Sequence, residues 1–198
     1  MAINKSYLIG YQEKQKVASA FASVGTKLPY ELISEIKGNE VPFEFTIKKI
    51  TVKNNKAIVT NDLSDIKDIW LDYQPNSLVW PLMSPKLKAI IENNLTVQDS
   101  IKWIKAKIYA KNEEKIYYIP MFTKELNVID EKKTMYIPKT KQIIKPCFSL
   151  SKIKNYSIFH KPSIFWQITP NIYINEKIKK TIKKNKLTGI NFEKICIS

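Results

Sequence analysis

The sequence predicts an α+β fold that is mainly antiparallel sheet, with two short amphipathic helices at about residues 84–94 and 175–186. Many short apolar runs are separated by Asn, Asp and Pro turn signals. These runs do not alternate regularly with helices, which favours antiparallel sheet over a βαβ arrangement. Two stretches combine an N-cap residue with aliphatic side chains at helical spacing, and these stretches are the predicted helices.

The length and composition are those of a globular protein. The chain has 198 residues, of which 44% are hydrophobic and 11% aromatic, enough for one sizeable core or two small ones. We therefore expect a single domain over residues 1–198. The alternative is two lobes at about 1–131 and 132–198, because the charge changes at that boundary.

Extended segments account for most of the chain before the C-terminal unit. Strands are predicted at residues 6–11, 43–52, 57–60, 101–110, 115–122, 142–150 and 156–160. Asn54-Asn55 marks a hairpin turn. Residues 126–130 and 134–137 are predicted to pair with each other.

Two further segments are predicted to be helical or turn-like. Residues 12–24 are expected to form a short helix, because Val17, Ala18 and Phe21 lie close to helical spacing. Residues 29–36 are expected to be a short helix or turn that begins at a proline.

The C-terminal unit, residues 163–198, predicts strand, strand, capped helix, glycine turn and strand. Residues 164–168 and 172–174 supply the first two apolar runs. Asn175 is the predicted N-cap, and Ile178 and Ile182 share the buried helix face. Gly189 permits the turn before a final strand at 190–195.

Residues 78–104 show a weaker form of the sequence pattern found in this C-terminal unit. Ser84 is the predicted N-cap and Pro85 the first helical residue, with Leu87, Ile90 and Ile91 on the buried face. A chance resemblance between two amphipathic helices and a true internal repeat both fit this pattern.

Positive charge is concentrated in the last third of the chain. The net charge is +15, with 18 lysines and 16 acids in residues 1–131 (+2) and 15 lysines and 2 acids in residues 132–198 (+13). This placement predicts a basic surface for an acidic protein, a nucleic acid or an anionic membrane. All basic residues are lysine, which is typical of an AT-rich coding bias, so a simply solvated surface is the alternative.

Sequence features of secretion, membrane insertion and catalysis were not found. We see no signal peptide and no apolar stretch of about 20 residues, so we expect a cytoplasmic protein without a membrane partner, with Cys147 and Cys196 as reduced thiols. Walker, GxGxxG, GxSxG and HExxH patterns are absent, and His160 is the single histidine. We predict no enzyme activity, no cofactor and no metal site.

Three segments resemble the immunity proteins of bacterial polymorphic toxin systems. They are IWLDYQPNSLVWPLMSPKLKAII, IPMFTKELNVIDEKKTMY and NEKIKKTIKKNKLTGINFEKI. The last is similar to a closing phrase of that family, in which a lysine-bearing helix leads into a Thr-Gly turn and a strand. The chain departs from the family pattern at His160, where an arginine is expected after Ile-Phe.

This resemblance implies a cytoplasmic protein that binds a cognate toxin domain and blocks it without catalysis. The expected contacts are aromatic anchors in a loop-like stretch and lysines on the helix, which would meet an acidic toxin surface. The predicted partner-binding residues are Trp70, Tyr73, Trp80, Lys179, Lys180, Lys183 and Lys184. The alternative function is a non-enzymatic nucleic-acid-binding module that uses the same lysine face.

Overall fold

The computed structural model describes residues 5–12, 14–25 and 27–198, and it has the α+β fold that the sequence predicts. The described strands are β1 (Ser6–Tyr11), β2 (Lys16–Ala22), β3 (Phe45–Lys53), β4 (Lys56–Thr60), β5 (Tyr73–Gln74), β6 (Leu82–Met83), β7 (Ile101–Ala110), β8 (Glu113–Phe122), β9 (Met135–Tyr136), β10 (Ile143–Lys145), β11 (Cys147–Phe148), β12 (Ile158–His160), β13 (Ile172–Asn175), β14 (Ile190–Lys194) and β15 (Cys196–Ile197). The described helices are α1 (Pro29–Glu35), α2 (Pro85–Glu92), α3 (Leu150–Ile153) and α4 (Glu176–Lys184).

The larger sheet has seven strands and is antiparallel at every pairing except one. Its order is β2-β3-β7-β8-β6-β5, and β4 also pairs with β3. The β3–β7 pair is parallel. The β7–β8 hairpin is the longest ladder, from Ile101 opposite Phe122 to Ala110 opposite Glu113.

The smaller sheet joins the two ends of the chain. Its order is β12-β13-β1-β14, and all pairs are antiparallel. Strand β1 therefore lies between two strands from the last third of the chain. Two short pairs complete the described sheet structure, β9 with β10 and β11 with β15.

Both predicted amphipathic helices are present and capped by the predicted residues. The Ser84 hydroxyl accepts a hydrogen bond from the Leu87 N–H, and Asn175 Oδ1 accepts one from the Ile178 N–H. Helices α2 and α4 each end about two residues earlier than predicted. The short helix predicted from residue 29 is also confirmed as α1.

Three local predictions are wrong. Residues 12–24 hold strand β2 instead of a helix, because Ala18 and Ala20 alternate into the core and pair with β3. Residues 163–168 form a loop, and Ile164 is 85% exposed. Residues 126–130 do not pair with 134–137, because β9 pairs with β10.

The core consists of three clusters of buried side chains. The first lies against the larger sheet and contains Phe45, Trp80 and Ile108. The second contains the apolar faces of α2 and α4 between the two sheets, including Leu87 and Ile178. The third lies around β11 and β12 and is made of apolar and aromatic side chains. The division into one domain or two lobes remains a prediction.

The two cysteines form a disulfide, so the prediction of two reduced thiols is wrong in this structure. The Cys147 and Cys196 sulfurs are 2.15 Å apart, and the bond links β11 to β15. The same segment is also held by hydrogen bonds, because the Ser198 hydroxyl donates to Asp130 and the Ser198 N–H donates to the Phe148 carbonyl. The last three residues are therefore fixed to the body of the protein.

Asp72 connects the beginning of α2 to the turn after α4. One carboxylate oxygen accepts a hydrogen bond from the Ser84 hydroxyl at 2.7 Å. The other accepts from the Thr188 N–H at 2.8 Å and from its hydroxyl at 3.1 Å. Two of the segments that carry the family resemblance, far apart in sequence, are thus joined by one side chain.

No helix in the described ranges has the length and apolarity that a membrane span requires.

Candidate functional site

The strongest candidate surface is the outer side of α4 and the turn that follows it. Ile178 and Ile182 point into the core and are 0% and 1% exposed. The outward side carries six lysines, here called the α4 lysine surface: Lys177, Lys179, Lys180, Lys183, Lys184 and Lys186. All six are exposed except Lys179, which is half-buried. Helical amphipathicity alone therefore gathers four of the predicted partner-binding residues on one surface.

The lysines of this surface have no ion-pair partner within the described ranges. Every described ion pair involves a lysine between Lys16 and Lys115, as in Lys16–Asp65 and Lys88–Glu92. No lysine from residues 132–198 takes part in one. The net charge of +13 in that segment therefore comes from lysines outside the described ion pairs, and it produces a positive field that attracts anionic groups.

Glu176, the acid in the first turn of α4, is held by its neighbours. The Tyr7 hydroxyl donates to Glu176 Oε2. This hydrogen bond, helped by the charges of Lys179 and Lys180, lowers the pKa of Glu176 below its ordinary value. Lys179 Nζ lies 3.2 Å from the centroid of the Tyr7 ring. The hydrogen bond between Tyr7 and Glu176 therefore attaches the start of α4 to β1.

A groove runs between the α4 lysine surface and strand β14. Its volume is about 370 Å³. Lys179, Lys183 and Lys186 line one side, and Ile190 and Phe192 are among the apolar residues that line it. Partial burial lowers the pKa of Lys179, and the nearby charge of Lys183 adds to that effect. The groove is therefore lined by lysine side chains together with several apolar side chains.

Two of the three predicted aromatic contacts lie in the core. Tyr73 is 1% exposed and stacks on Tyr11 with ring centroids 4.7 Å apart. Trp80 is 2% exposed, and its carbonyl accepts hydrogen bonds from Tyr11 and Asn76. A direct contact between either ring and a partner would require the core to open.

The third predicted aromatic, Trp70, is half-buried near the β7–β8 turn. Its indole N–H donates to Glu113 at 3.0 Å, and Lys115 Nζ lies 4.6 Å from its ring centroid. The structure does not place Trp70 among the groove residues. The seven predicted contact residues are therefore split between the core, this turn and the α4 lysine surface.

Sequence reasoning missed an exposed aromatic pair. Tyr30 of α1 and Phe165 of the loop 163–168 stack with centroids 5.1 Å apart, and they are 45% and 41% exposed. Sequence reasoning also missed Lys186 and Asn191, which join the groove because the chain reverses at Gly189. The Thr-Gly turn signal was the one indication that β14 returns beside the helix.

His160 is a buried packing residue. It is 0% exposed, and its ring nitrogens lie 2.9 Å and 3.2 Å from the backbone carbonyl oxygens of Lys161 and Lys124. Phe122 and Trp166 pack against the ring. Backbone carbonyls and aromatic rings therefore enclose the imidazole.

Comparison with known proteins gives a family. A family model described as "Immunity protein family (Imm11)" matches residues 27–196. The match covers all three segments on which the resemblance rests and confirms it. No curated protein matches the chain.

Proposed function

We propose that this chain, which belongs to the immunity protein family Imm11, binds a cognate bacterial toxin domain and neutralises it. The observation that carries the proposal is the family match over residues 27–196. We further propose that the toxin belongs to a polymorphic system used in competition between bacteria. In this proposal the chain works in the cytoplasm and performs no reaction of its own.

The α4 lysine surface is the proposed site of first encounter. Its lysines have no ion-pair partners among the described residues, so their field acts on an approaching molecule rather than within the chain. Complementary charge raises association rates and orients the partner. A toxin surface rich in Asp and Glu would be drawn to α4, and the body of the protein would then cover the active site or the path to it.

Aromatic anchors are expected to supply much of the affinity, as they do in other interfaces. Tyr73 and Trp80 are buried, so we assign this role to the exposed Tyr30–Phe165 pair and to the open side of Trp70. Stacking holds Tyr30 and Phe165 in place before binding, which lowers the entropic cost of ordering them.

One observation supports binding without catalysis. The single histidine is buried among backbone carbonyls and aromatic rings. Catalysis by histidine needs a ring nitrogen that can reach a substrate.

The decisive experiment is co-expression of this chain with the product of a neighbouring gene that stops growth when it is expressed alone. We expect growth to be rescued and a stoichiometric complex to be recovered after nuclease treatment. Absence of rescue and of a complex would overturn the proposal. Recovery that disappears with nuclease would instead support the nucleic-acid alternative.

The proposed compartment has its own test, because the cytoplasm keeps most protein thiols reduced. Quenching cells in acid protonates thiols and stops their exchange, and alkylation in denaturant at neutral pH then reports the state of Cys147 and Cys196. Alkylated thiols would support a cytoplasmic location, and a protected bond would argue for an oxidising compartment.

A further inference from the structure

We infer that the groove between α4 and β14 is a docking site for a short acidic segment of the toxin, whose carboxylates bind the lysines while an apolar side chain contacts Ile190 and Phe192. This inference rests on the proposed function for the identity of the partner. It goes further by naming the site and the chemistry of the segment that fills it.

The groove lies at an open border of the molecule. Strand β14 is the last strand of the smaller sheet and pairs with β1 on one side. Helix α4 packs on the same sheet through Ile178 and Ile182, which places the helix beside the strand. A peptide can therefore enter from the sheet edge without displacing any described element.

Charge selects for an anionic occupant. Lys179, Lys183 and Lys186 line the groove, and no carboxylate among the described residues lines it. Each ammonium group offers up to three hydrogen-bond donors. Successive helical turns are about 5.4 Å apart, so Lys179 and Lys183 present their charges at a spacing that separate carboxylates along a peptide can match.

The apolar residues in the lining favour an occupant that also carries an apolar side chain. Ile190 and Phe192 line the groove and remain partly exposed. Asn191 adds a polar contact, since its Oδ1 accepts the Phe192 N–H at 2.9 Å. Its amide NH₂ has no partner among the described residues, and it remains available to donate to a carboxylate or a carbonyl.

A peptide fits these features better than a nucleic acid does. Single-stranded nucleic acids bind to open aromatic faces on which their bases stack. Lys179 Nζ lies 5.8 Å from the Phe192 ring centroid and limits access to that face. The groove also contains no arginine for bidentate phosphate binding. An acidic segment with an aliphatic side chain needs neither feature.

The main test compares charge reversal inside and outside the groove. The groove variant is Lys183→Glu with Lys186→Glu, and the control is Lys141→Glu with Lys145→Glu. The control has the same change in net charge at exposed lysines away from α4. We expect the groove variant to bind the toxin at least about tenfold more weakly than the control, measured by calorimetry. The neutral pair Lys183→Gln and Lys186→Gln should show a smaller loss, and it serves if charge reversal prevents folding.

A second arm does not require the toxin. A synthetic peptide of alternating Glu and Leu, and an oligothymidylate of similar charge, would be titrated while backbone amide resonances are followed. We expect the peptide to shift amides within residues 179–192 in the wild type and not in the groove variant. Tighter binding of the oligothymidylate at these residues would overturn the inference, as would equal losses of toxin affinity in the groove variant and the control.

The two proposals fail in different ways. If the wild type does not bind the toxin, the proposed function is wrong, and the peptide titration still decides whether the groove takes acidic peptides. If the wild type binds and the groove variant binds equally well, the groove inference is wrong while the proposed function stands.

Discussion

Gly189 is the residue at which the turn after α4 touches the rest of the molecule. Its φ is +76°, and a Cβ added there would lie 2.6 Å from the Tyr73 carbonyl oxygen and 2.9 Å from the Leu71 Cβ. A side chain would therefore be strained in its backbone and would collide with atoms that are themselves buried. This glycine is needed for close approach as well as for its conformation.

We predict that Gly189→Ala lowers the free energy of unfolding by about 2–4 kcal/mol. Gly38→Ala is the matched control, because Gly38 has φ +81° and a Cβ there would meet no atom within 4 Å. The control should lose about 1–2 kcal/mol, from backbone strain alone. Urea denaturation measures both, and equal losses would show that the close approach has no energetic consequence.

Glu176 makes the attachment of α4 sensitive to acid. Its hydrogen bond from Tyr7 lowers its pKa in the folded state. A carboxyl with a lowered folded-state pKa contributes stability that is complete above its ordinary value of 4.5 and is lost as the pH falls through the lowered value. The contribution therefore disappears on the acidic side of pH 4.5.

We predict that Glu176→Gln lowers Tm at pH 7 and that its difference from the wild type shrinks as the pH falls below 4.5. Thermal denaturation between pH 7 and pH 3 measures this difference. Glu193→Gln removes the other acid of the last third and serves as the control. A constant difference for Glu176→Gln across that range would contradict the assignment.

At the scale of elements, Asp72 connects the start of α2 to the turn that follows α4. Its carboxylate accepts hydrogen bonds from Ser84 and from Thr188. The Tyr73 N–H also donates to the Thr188 carbonyl beside it. These bonds position the turn on which the groove residue Asn191 depends.

We predict that Asp72→Ala lowers the free energy of unfolding by about 2–3 kcal/mol, because hydrogen bonds to a charged acceptor are lost. Asp68→Ala is a control in the same stretch, since Asp68 is exposed and makes no described side-chain bond. The control should change stability by less than about 0.5 kcal/mol. Chemical denaturation measures both changes in stability. Similar losses in the two variants would show that the hydrogen bonds of Asp72 do not stabilise the fold.

The disulfide between β11 and β15 closes a long loop, since its cysteines are separated by 49 positions in the sequence. In the chain-entropy model the disulfide that closes a loop of this length stabilises the folded state by about 4 kcal/mol.

We predict that Cys147→Ser with Cys196→Ser lowers the free energy of unfolding by up to about 4 kcal/mol in oxidising buffer. Adding reductant should weaken the wild type to the level of the variant and leave the variant unchanged. A wild type that does not respond to reductant would show that the bond contributes nothing.

At the scale of the whole molecule, the charge imbalance has a kinetic consequence. We predict that association with the toxin slows about tenfold or more between low salt and 0.5 M salt, because screening shortens the reach of the lysine field. Lys180→Gln with Lys184→Gln should reduce this salt dependence while leaving the dissociation rate nearly unchanged, since neither residue lines the groove. Stopped-flow measurements give both rates, and a salt-independent association rate would contradict steering.

Local signals were enough to predict the helices and several strands but could not predict long-range pairings. Ser84 and Asn175 cap α2 and α4 through bonds within three residues, so sequence alone reveals them. The helix predicted over residues 12–24 is wrong because the extended state of β2 depends on pairing with β3, about 30 residues away. The sequence also gives no local sign that Tyr73 and Trp80 are buried.

The reason for that burial is that polar residues beside the two rings point inward. Gln74 and Asn76 are 0% and 8% exposed, and their amides are satisfied by backbone groups of Ala18 and Trp80. A stretch that looks like a surface loop by composition is therefore part of the core. The lysines could be predicted from amphipathicity, whereas the groove required knowledge of where β14 returns.

The place of β1 in the smaller sheet has a consequence for how the protein is made. Strand β1 lies between β13 and β14, so about 160 residues are synthesised between β1 and the first of these partners. At about 5–20 residues per second, the delay between the first strand and its partners is roughly 10–40 s. Throughout that delay the apolar side chains of β1 have no native partner. Molecules released before β13 and β14 are made would lack the smaller sheet, on which α4 packs, so we expect them not to fold.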